Sequence, residues 1–432
     1  MTTDHDFHRA PNVPVAVRAE GATIVTADGL TFLDGAGGAI ACSVGHGRRE
    51  IADAMAAQAA AVAYVHATQF ETEPLHRFAD RLAALVPVDD ARVFPVSGGS
   101  EANESALKLA RAYHLARGDA ERHVVLARAG AYHGNSRGAL DASDRASLKA
   151  GYEPWLGQTV RVPLVNPYRD GMSGADHAEV VDRTIREVGP ERVAAFLAEP
   201  VAGATLGAVV PPDDYWPAVT EVCRRHGVLV IADEVMTGVG RTGRWFGVEH
   251  WGVRPDILTS GKGASSGYWP LGVMVASGAL YDTVTGAATY AHGFTWSHHA
   301  VGAAVAGAVI DIIEREQLVA RSERLGAVVQ QRLVDAIGQH PHVGQVRGLG
   351  LLRAVELVAE RDTATPFDRA ERVAERIVAA AFERGLTVYP CASAVDGRIG
   401  DAVLLGPPLS VTDGELDGML GRLVDAIRSV LG

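Results

Sequence analysis

At 432 residues, with 47% hydrophobic and 21% charged residues, the chain has a globular composition and enough length for two or three domains. Its net charge of −12 argues against nucleic-acid and anionic-membrane partners, which need clustered positive charge. No apolar run is long enough to predict a membrane span, and the polar first residues show no export signal, so we expect a cytoplasmic protein. The three cysteines, Cys42, Cys223 and Cys391, are far apart and fit reduced, packed thiols.

The first sixty residues predict a hairpin-like pattern, with strand-like runs broken at Glu20-Gly21 and Asp28-Gly29, and then a helix over 49–62. From about residue 72, helices and strands alternate, which is typical of a doubly wound α/β domain. The elements predicted there are helix 73–85, strand 91–96, helix 101–117, strands 123–127, 193–198, 228–232, 257–259 and 271–276, and helix 299–316.

The last hundred residues mix strands within 345–357, a helix over 370–384, strands at 386–389 and 402–405, and a final helix over 413–430. We therefore expect an α/β fold with two parts. A large doubly wound, mostly parallel sheet domain spans 63–325. A smaller α+β domain is built from both termini, residues 1–62 and 326–432.

The chain contains three lysines, Lys108, Lys149 and Lys262, and its other basic residues are arginines. Because arginine does not normally deprotonate, only these three side chains can act as amine nucleophiles. Lys108 lies in a helical stretch and Lys149 in a polar, charge-mixed segment. Lys262 stands between glycines just past a buried strand, which favours a catalytic role over that of a solvated surface lysine.

A second apolar run, 228–232, ends at Asp233. In parallel sheets the chemistry lies at the carboxyl ends of strands, so Asp233 and Lys262 are expected at one sheet edge. An aspartate beside a pyridine nitrogen keeps that nitrogen protonated, and Val235 would pack on a ring face from the same side of an extended segment. The alternative for Asp233 is a helix or turn cap.

Three further stretches follow predicted strands. Gly99 and Ser100 open a helix whose N-terminus suits a phosphate, although Ser100 could also be an ordinary N-cap. Tyr132 and His133 lie at a strand's carboxyl end, where an aromatic ring can stack on a flat ligand or simply pack. Glu199 ends the run AAFLAE and is either functional or part of a structural ion pair.

Seven motifs occur in order: SGGSEANESALKLAR, AYHG, EPVAG, IADEVMTGVGRTG, DILTSGKG, PLGV and GFTWSHH. Together they resemble class III aminotransferases, the fold-type I pyridoxal-phosphate enzymes that include the omega-transaminases. By that resemblance Lys262 forms the Schiff base with pyridoxal 5'-phosphate and moves the proton, while Asp233 pairs with the pyridine nitrogen. The resemblance also implies a homodimer whose partner subunit supplies Thr295 to the phosphate.

The same resemblance assigns the rest of the cofactor site. Val235 and Tyr132 sandwich the ring, Gly99 and Ser100 hold the phosphate, and His133 and Glu199 complete the set. The substrates would be a small-molecule amine and a keto acid, pyruvate or 2-oxoglutarate.

Two departures bear on the substrate. Where the ornithine and γ-aminobutyrate branches carry a second glutamate, this chain has Ala204, and it has no arginine just before Pro407-Pro408. Both favour amines, β-amino acids or ω-amino acids as donors. Arg398 lies near the position of a mobile carboxylate-binding arginine in omega-transaminases and is predicted to bind substrate with Tyr132. The alternative is a solvated loop arginine.

Other readings are weaker. Residues 238–243 spell a dinucleotide-binding fingerprint but lack a following helix, and Ser265 lies in a hydrolase-like GASSG stretch that also lacks one. The histidines, including His298-His299, show no zinc spacing. An aminomutase or amino-acid racemase of the same fold is the near alternative, and a serine hydrolase using Ser265 is the distant one.

Overall fold

A computed structural model describes residues 13–157, 159–288 and 290–432. Its strands are β1 Ala16–Glu20, β2 Thr23–Thr26, β3 Thr31–Asp34, β4 Arg92–Val96, β5 Val124–Arg128, β6 Thr159–Val162, β7 Val193–Ala198, β8 Leu229–Asp233, β9 Ile257–Gly261, β10 Gly272–Ala276, β11 Val343–Leu349, β12 Leu352–Leu357, β13 Leu386–Thr387, β14 Tyr389–Cys391 and β15 Asp401–Leu405. Its helices are α1 Gly37–Ile40, α2 Arg49–Ala61, α3 Glu73–Leu85, α4 Gly99–Ala116, α5 Arg137–Ala142, α6 Ala146–Lys149, α7 Pro167–Asp170, α8 Gly174–Val188, α9 Tyr215–His226, α10 Gly278–Ala287, α11 Ala300–Arg315, α12 Leu318–Ile337, α13 Val373–Glu383 and α14 Asp413–Leu431.

A seven-stranded sheet in the order β4-β10-β9-β8-β7-β5-β6 forms the centre of the fold. The pairs from β9 through to β6 are parallel, while β10 runs antiparallel to both β4 and β9. Every residue of β7, β8 and β9 is buried, which explains why these strands read as continuous apolar runs. The predicted α/β class with a large, mostly parallel sheet is confirmed.

The two faces of this sheet are covered by different helices, because side chains alternate along each strand. Phe196 and Ala198 of β7 pack with residues of α8 and α9. Ala195 and Leu197 point the other way and pack with residues of α4. Ile231 of β8 pairs with Leu197 and also faces α4. Because side chains alternate, Asp233, two residues after Ile231, and its β9 partner Thr259 face α4 as well.

Two smaller sheets flank the large one. In the first, β1, β2 and β3 are antiparallel, and β13 from the C-terminal part joins β3 in parallel through Leu386 and Thr387. The second has the order β11-β12-β15-β14. The two ends of the chain thus share a sheet, while the boundaries at 62/63 and 325/326 stay a prediction.

Several predicted elements differ from the structure in their bounds. Helix α4 begins at Gly99, two residues earlier than predicted. The predicted helix 370–384 is interrupted at Arg372, where a left-handed φ of 51° separates a short 3-10 turn from α13. The predicted strand 386–389 divides into β13 and β14, which join different sheets. Helices α8, α9 and α12 were not predicted.

No helix in the described parts of the chain is both long and apolar enough to cross a bilayer. Residues 1–12, from which the sequence predicts no export signal, lie outside the described residues.

Candidate active site

The carboxyl ends of β5, β7, β8 and β9 meet the start of α4 around one pocket. The residues that line it are Gly99, Ser100, Tyr132, His133, Gly134, Glu199, Ala204, Asp233, Val235, Met236, Thr237 and Lys262. Eight of the predicted site residues, from Gly99 to Lys262, are therefore brought together. Thr295 and Arg398 are the two that are not.

Lys262 follows β9 directly and is partly buried, with its ammonium desolvated by the pocket. Desolvation is the main cause that lowers the pKa of Lys262 to about 8, while the negative charges of Asp233 and Glu199 act in the opposite direction. The backbone at Lys262 has a left-handed φ of 43°, a conformation that L-residues rarely adopt outside functional sites and turns. Near neutral pH, a useful fraction of this amine is therefore unprotonated.

Asp233 is the last residue of β8 and is only 3% exposed. Its Oδ2 accepts hydrogen bonds from Nδ1 of His133 (2.7 Å) and from Nδ2 of Asn103 (2.8 Å). Its Oδ1 accepts a hydrogen bond from the backbone N–H of Val235 (3.1 Å). Asp233 therefore also caps the turn after β8, which was the alternative interpretation. Three donors stabilise the charged carboxylate in a buried place, where an unpaired charge would be costly.

The turn that holds Val235 brings this side chain against the start of α4. Val235 lies in a turn after β8, so the predicted extended segment is wrong there. A methyl group added to Gly99 would come within 2.7 Å of Cγ1 of Val235, so the backbone of Gly99 can be approached closely only because it has no side chain. Val235 therefore forms one wall of the pocket.

The first turn of α4 presents free backbone N–H groups and the positive end of the helix dipole. Its N-cap is Gly98, so Ser100 is not the cap, and its Oγ instead accepts the N–H of Asn135 (3.2 Å). Gly134 has φ 133°, and a side chain there would clash with Ser100. Glu104 caps a different helix, α5, through the N–H groups of Gly138 and Ala139. This end of the pocket suits an anion such as phosphate.

Glu199 fixes the loop that carries the pocket's tyrosine. Its Oε1 accepts the N–H of Tyr132 (3.0 Å), its Oε2 accepts the N–H of Gly203 (2.9 Å), and its carbonyl accepts a hydrogen bond from Arg128. Burial raises the pKa of Glu199, with the neighbouring charge of Asp233 acting in the same direction. The predicted alternative of a side-chain ion pair is not formed with any described residue.

Comparison with known proteins identifies the family. The profile described as "Aminotransferase class-III" matches residues 7–427, almost the whole chain. The chain belongs to the class-III aminotransferases.

Characterised relatives of this aminotransferase are similar along their full length. It is 33% identical to a putrescine–pyruvate aminotransferase of Pseudomonas aeruginosa, covering 97% of this chain and 91% of that protein. A crystal structure of an (S)-enantioselective omega-transaminase from Thermomicrobium roseum is 36% identical, with a TM-score of 0.92, over 99% of this chain and 97% of that one. An amine transaminase from an uncultivated Pseudomonas species, solved in a PLP-bound form, is 33% identical, with a TM-score of 0.90, over 100% and 98%.

Thr295 and Arg398 lie outside the pocket of this single aminotransferase chain. Thr295 is exposed, and its carbonyl accepts a hydrogen bond from the hydroxyl of Tyr64 (2.9 Å). Arg398 is exposed on the turn after Asp396, and its guanidinium pairs with no described residue. That turn touches the pocket loop, since a side chain on Gly397 would come within 3.1 Å of Cα of Gly130.

The competing motifs have structural roles. The hydroxyl of Ser265 is buried and donates to the carbonyl of Trp269 (2.6 Å), so it is not a hydrolase nucleophile and the hydrolase reading is wrong. Residues 238–243 form turns between β8 and β9 and open no helix. Glu234, beside Asp233, is fully buried and holds the end of that loop through the N–H groups of Gly247 and Val248 (2.8 Å each).

Asn103 and Thr259 were missed in the sequence. Asn103 shares a helical face with Ala106 and Ala110, three and seven positions on, and this apolar face packs on the sheet. An asparagine that continues such a face is the available signal. Its partner, Thr259, lies opposite Asp233 in the β8–β9 pairing.

Proposed function

We propose that this aminotransferase uses pyridoxal 5'-phosphate, held with its phosphate at the first turn of α4 and its ring nitrogen at Asp233. The observation that carries this proposal is that Lys262, with its lowered pKa, and the charged Asp233 enter the same pocket. The glycine backbone at Gly99 and Gly134 leaves room at the phosphate end. Nε2 of His133, buried at the pocket, has no hydrogen-bond partner among the described residues and fits a ligand-facing atom. The cofactor would supply an electron sink for the substrate's amine-bearing carbon.

Each protein group would then have a distinct task. The amine of Lys262 holds the cofactor and later moves a proton, which its lowered pKa favours because the neutral form is needed for both tasks. Asp233 keeps the ring nitrogen charged. Val235 and Tyr132 both line the pocket and would flank the ring, and Glu199 fixes the Tyr132 loop through its backbone.

The donor class follows from the charges around the pocket. No arginine stands among the described residues that line it, and Ala204 occupies the place where the ornithine-type branches carry a second glutamate. A donor with an α-carboxylate would therefore bury that charge without a fixed partner, at a considerable cost. We propose that the donor is an amine, or a β- or ω-amino acid, whose amine-bearing carbon carries no carboxylate.

The acceptor must nevertheless be a keto acid for turnover to continue. Arg398 is the proposed contact for its carboxylate, because its guanidinium is unpaired and its turn packs beside the loop that leads to Tyr132. Such an exposed arginine can approach for the keto acid and withdraw for the amine. Pyruvate, named for the Pseudomonas aeruginosa relative, and 2-oxoglutarate are the acceptors to compare.

Two amines that differ by one carboxylate test the donor class. Pentylamine and norleucine have the same carbon chain, and we expect kcat/KM for pentylamine to exceed that for norleucine at least about tenfold with either acceptor, the equivalent of roughly 1.4 kcal/mol. A preference for norleucine contradicts the donor class. Conversion of an amino acid without any keto acid would instead indicate a mutase or racemase. Lys262→Ala is the control and is expected to show no turnover.

We also propose a homodimer with shared active sites. The surface around Thr295 exposes aromatic side chains, with Trp296 56% and Phe70 62% exposed. A neighbouring apolar hollow is lined by Trp269, Leu271 and Ser97, the last of which leads into Gly98 and α4. A second copy covering this surface would bring its Thr295 to the phosphate end of the pocket.

The three buried, unpaired thiols support the predicted cytoplasmic location.

Mixed dimers test that proposal. Lys262→Ala and Thr295→Glu chains should each be inactive or strongly impaired alone, because one lacks the amine and the other places a negative charge beside the phosphate. Co-expressed, they should recover activity, since one site of each mixed dimer has both native residues. If a purified dimer that contains one chain of each variant showed no transaminase activity, the shared active site would be contradicted.

A further inference from the structure

A buried series of hydrogen bonds connects β9, the strand that leads to Lys262, with the carboxylate of Asp233. The hydroxyl of Thr259 donates to Oδ1 of Asn103 (2.8 Å). Nδ2 of Asn103 donates to Oδ2 of Asp233 (2.8 Å) and to the carbonyl of His133 (2.7 Å). Both polar atoms of the Asn103 amide therefore have partners. The side chains of Thr259, Asn103 and Asp233 are each at most 3% exposed.

The partners fix which way the amide points. The carboxylate and the carbonyl only accept hydrogen bonds, so they require the amide nitrogen on their side. The Thr259 hydroxyl then donates to the amide oxygen. A rotated amide would set its oxygen against Oδ2 of Asp233 and against a carbonyl, leaving buried acceptors facing one another. Thr259 donates to the amide oxygen that this orientation leaves facing β9, so no polar atom of the amide is left unsatisfied.

The fold places these residues together through strand parity. Asp233 and Thr259 are direct partners across β8 and β9, and both face α4. Asn103 lies three residues after Ser100, about one turn further along α4. The same helix thus presents backbone N–H groups at one end of the pocket and the Asn103 amide at the other.

We propose that Asn103, hydrogen-bonded to Thr259, is a positioning residue that holds the Asp233 carboxylate in place toward the cofactor's ring nitrogen. This inference rests on the proposed use of pyridoxal 5'-phosphate. Asn103 touches neither substrate nor reacting atoms in this arrangement, and it acts through Asp233. Because the first turn of α4 also forms the proposed phosphate end, one helix would help to position both ends of the cofactor.

Thr259→Val tests the inference, because it keeps the β-branched shape and removes only the hydroxyl. The matched control is Ser260→Ala, on the next residue of the same strand. It removes a buried hydroxyl that has no hydrogen-bond partner in the described parts of the chain. Thr259→Ser restores the hydroxyl and should rescue. The readout is the pH titration of the absorbance of bound pyridoxal phosphate, together with its Kd from equilibrium dialysis.

The group that titrates is the Schiff-base nitrogen at Lys262. We expect Thr259→Val to raise the midpoint of its titration by about one pH unit. A less well-held carboxylate stabilises the ring-nitrogen proton less, and a ring with less positive charge lowers the pKa of the Schiff-base nitrogen less. The Kd should rise about tenfold, and the Ser260→Ala and Thr259→Ser titrations should match the parent protein's. A Thr259→Val titration equal to that of Ser260→Ala would overturn the inference.

Two further outcomes are separable. If Thr259→Val does not fold, Asn103→Asp in the full chain gives a second reading. An ionised aspartate at position 103 cannot donate to the Asp233 carboxylate, so the same midpoint should again rise, and an unchanged midpoint would overturn the inference. If the parent protein itself binds no pyridoxal phosphate, the proposed function fails, and that failure is seen before any variant is compared.

Discussion

Asp233 and Lys262 lie at the ends of the adjacent strands β8 and β9, and the carboxylate opposes the desolvation that lowers the pKa of the lysine to about 8. Two opposing effects therefore set the pKa of Lys262. Burial makes the amine available in its neutral form, and the nearby negative charge limits how far that effect goes.

The first prediction concerns the capture of cofactor by the apoprotein. Only the neutral amine of Lys262 attacks an aldehyde, so the capture rate should rise about tenfold per pH unit below pH 8 and level off above it. Stopped-flow absorbance after mixing apoprotein with pyridoxal phosphate measures this rate. Lys262→Arg provides the blank. A midpoint near 10.5, the ordinary lysine value, would contradict the burial argument.

Replacing Asp233 with asparagine should lower the pKa of Lys262 below its present value, since the carboxylate raises it. Capture by Asp233→Asn apoprotein should therefore level off at a lower pH, even though turnover falls by about a hundredfold or more because the ring nitrogen loses its partner. Asp256→Asn, at the opposite end of β9, is the control for losing an acid near this strand. An unchanged or higher midpoint would show that the two charges do not interact.

Gly134→Ala tests the fit of the phosphate end. The added methyl group would clash with Ser100, and φ 133° is unfavourable for alanine, so we expect a loss of roughly 1–3 kcal/mol in stability and a weaker Kd for pyridoxal phosphate. Thermal unfolding with and without cofactor separates the two effects. Gly421→Ala, in α14 where a methyl group meets open space, is the control. If both variants bound pyridoxal phosphate with equal affinity, the proposal that the Gly134 loop contacts the phosphate would be contradicted.

Glu234 gives a prediction for stability against pH. Burial raises its pKa from 4.5 to about 7, so its stabilising contribution is complete below pH 4.5 and is lost as pH rises through about 7. Between pH 5 and pH 8 the folded apoprotein should lose roughly 2–3 kcal/mol through this group. Between pH 5 and pH 8, the free energy of unfolding of Glu234→Gln, measured by chemical denaturation, should fall by roughly 2–3 kcal/mol less than that of the parent protein. Glu179→Gln, exposed on α8, is the control and should behave as the parent does.

The sequence predicted the parts of the site that depend on short stretches. Asp233 and Lys262 each end an apolar run, and a buried parallel strand delivers its last residue to a known edge, so their meeting could be inferred without coordinates. Helix α4 begins two residues earlier than predicted, because glycine is a poor helix former and gives no local signal for a helix start at Gly99. A glycine stands there because a side chain would clash with Val235.

Other features depend on how distant elements pack. Asn103 is one of several polar residues in the first half of α4, and its role is visible only when α4 lies across β8 and β9. The break at Arg372 has no glycine or proline to mark it. Thr295 and Arg398 stay predictions, because both lie on exposed turns and neither lines the pocket of the single chain.

The central claim is that Lys262 carries the cofactor, and borohydride reduction tests it most directly. The protein is incubated with pyridoxal phosphate, reduced, digested and mapped by mass spectrometry, with Lys108 and Lys149 in the same chain as internal controls. We predict one modified lysine, at position 262, and none in a parallel Lys262→Ala sample. Modification at Lys108 or Lys149 with Lys262 untouched, or no modification at all, would contradict the account.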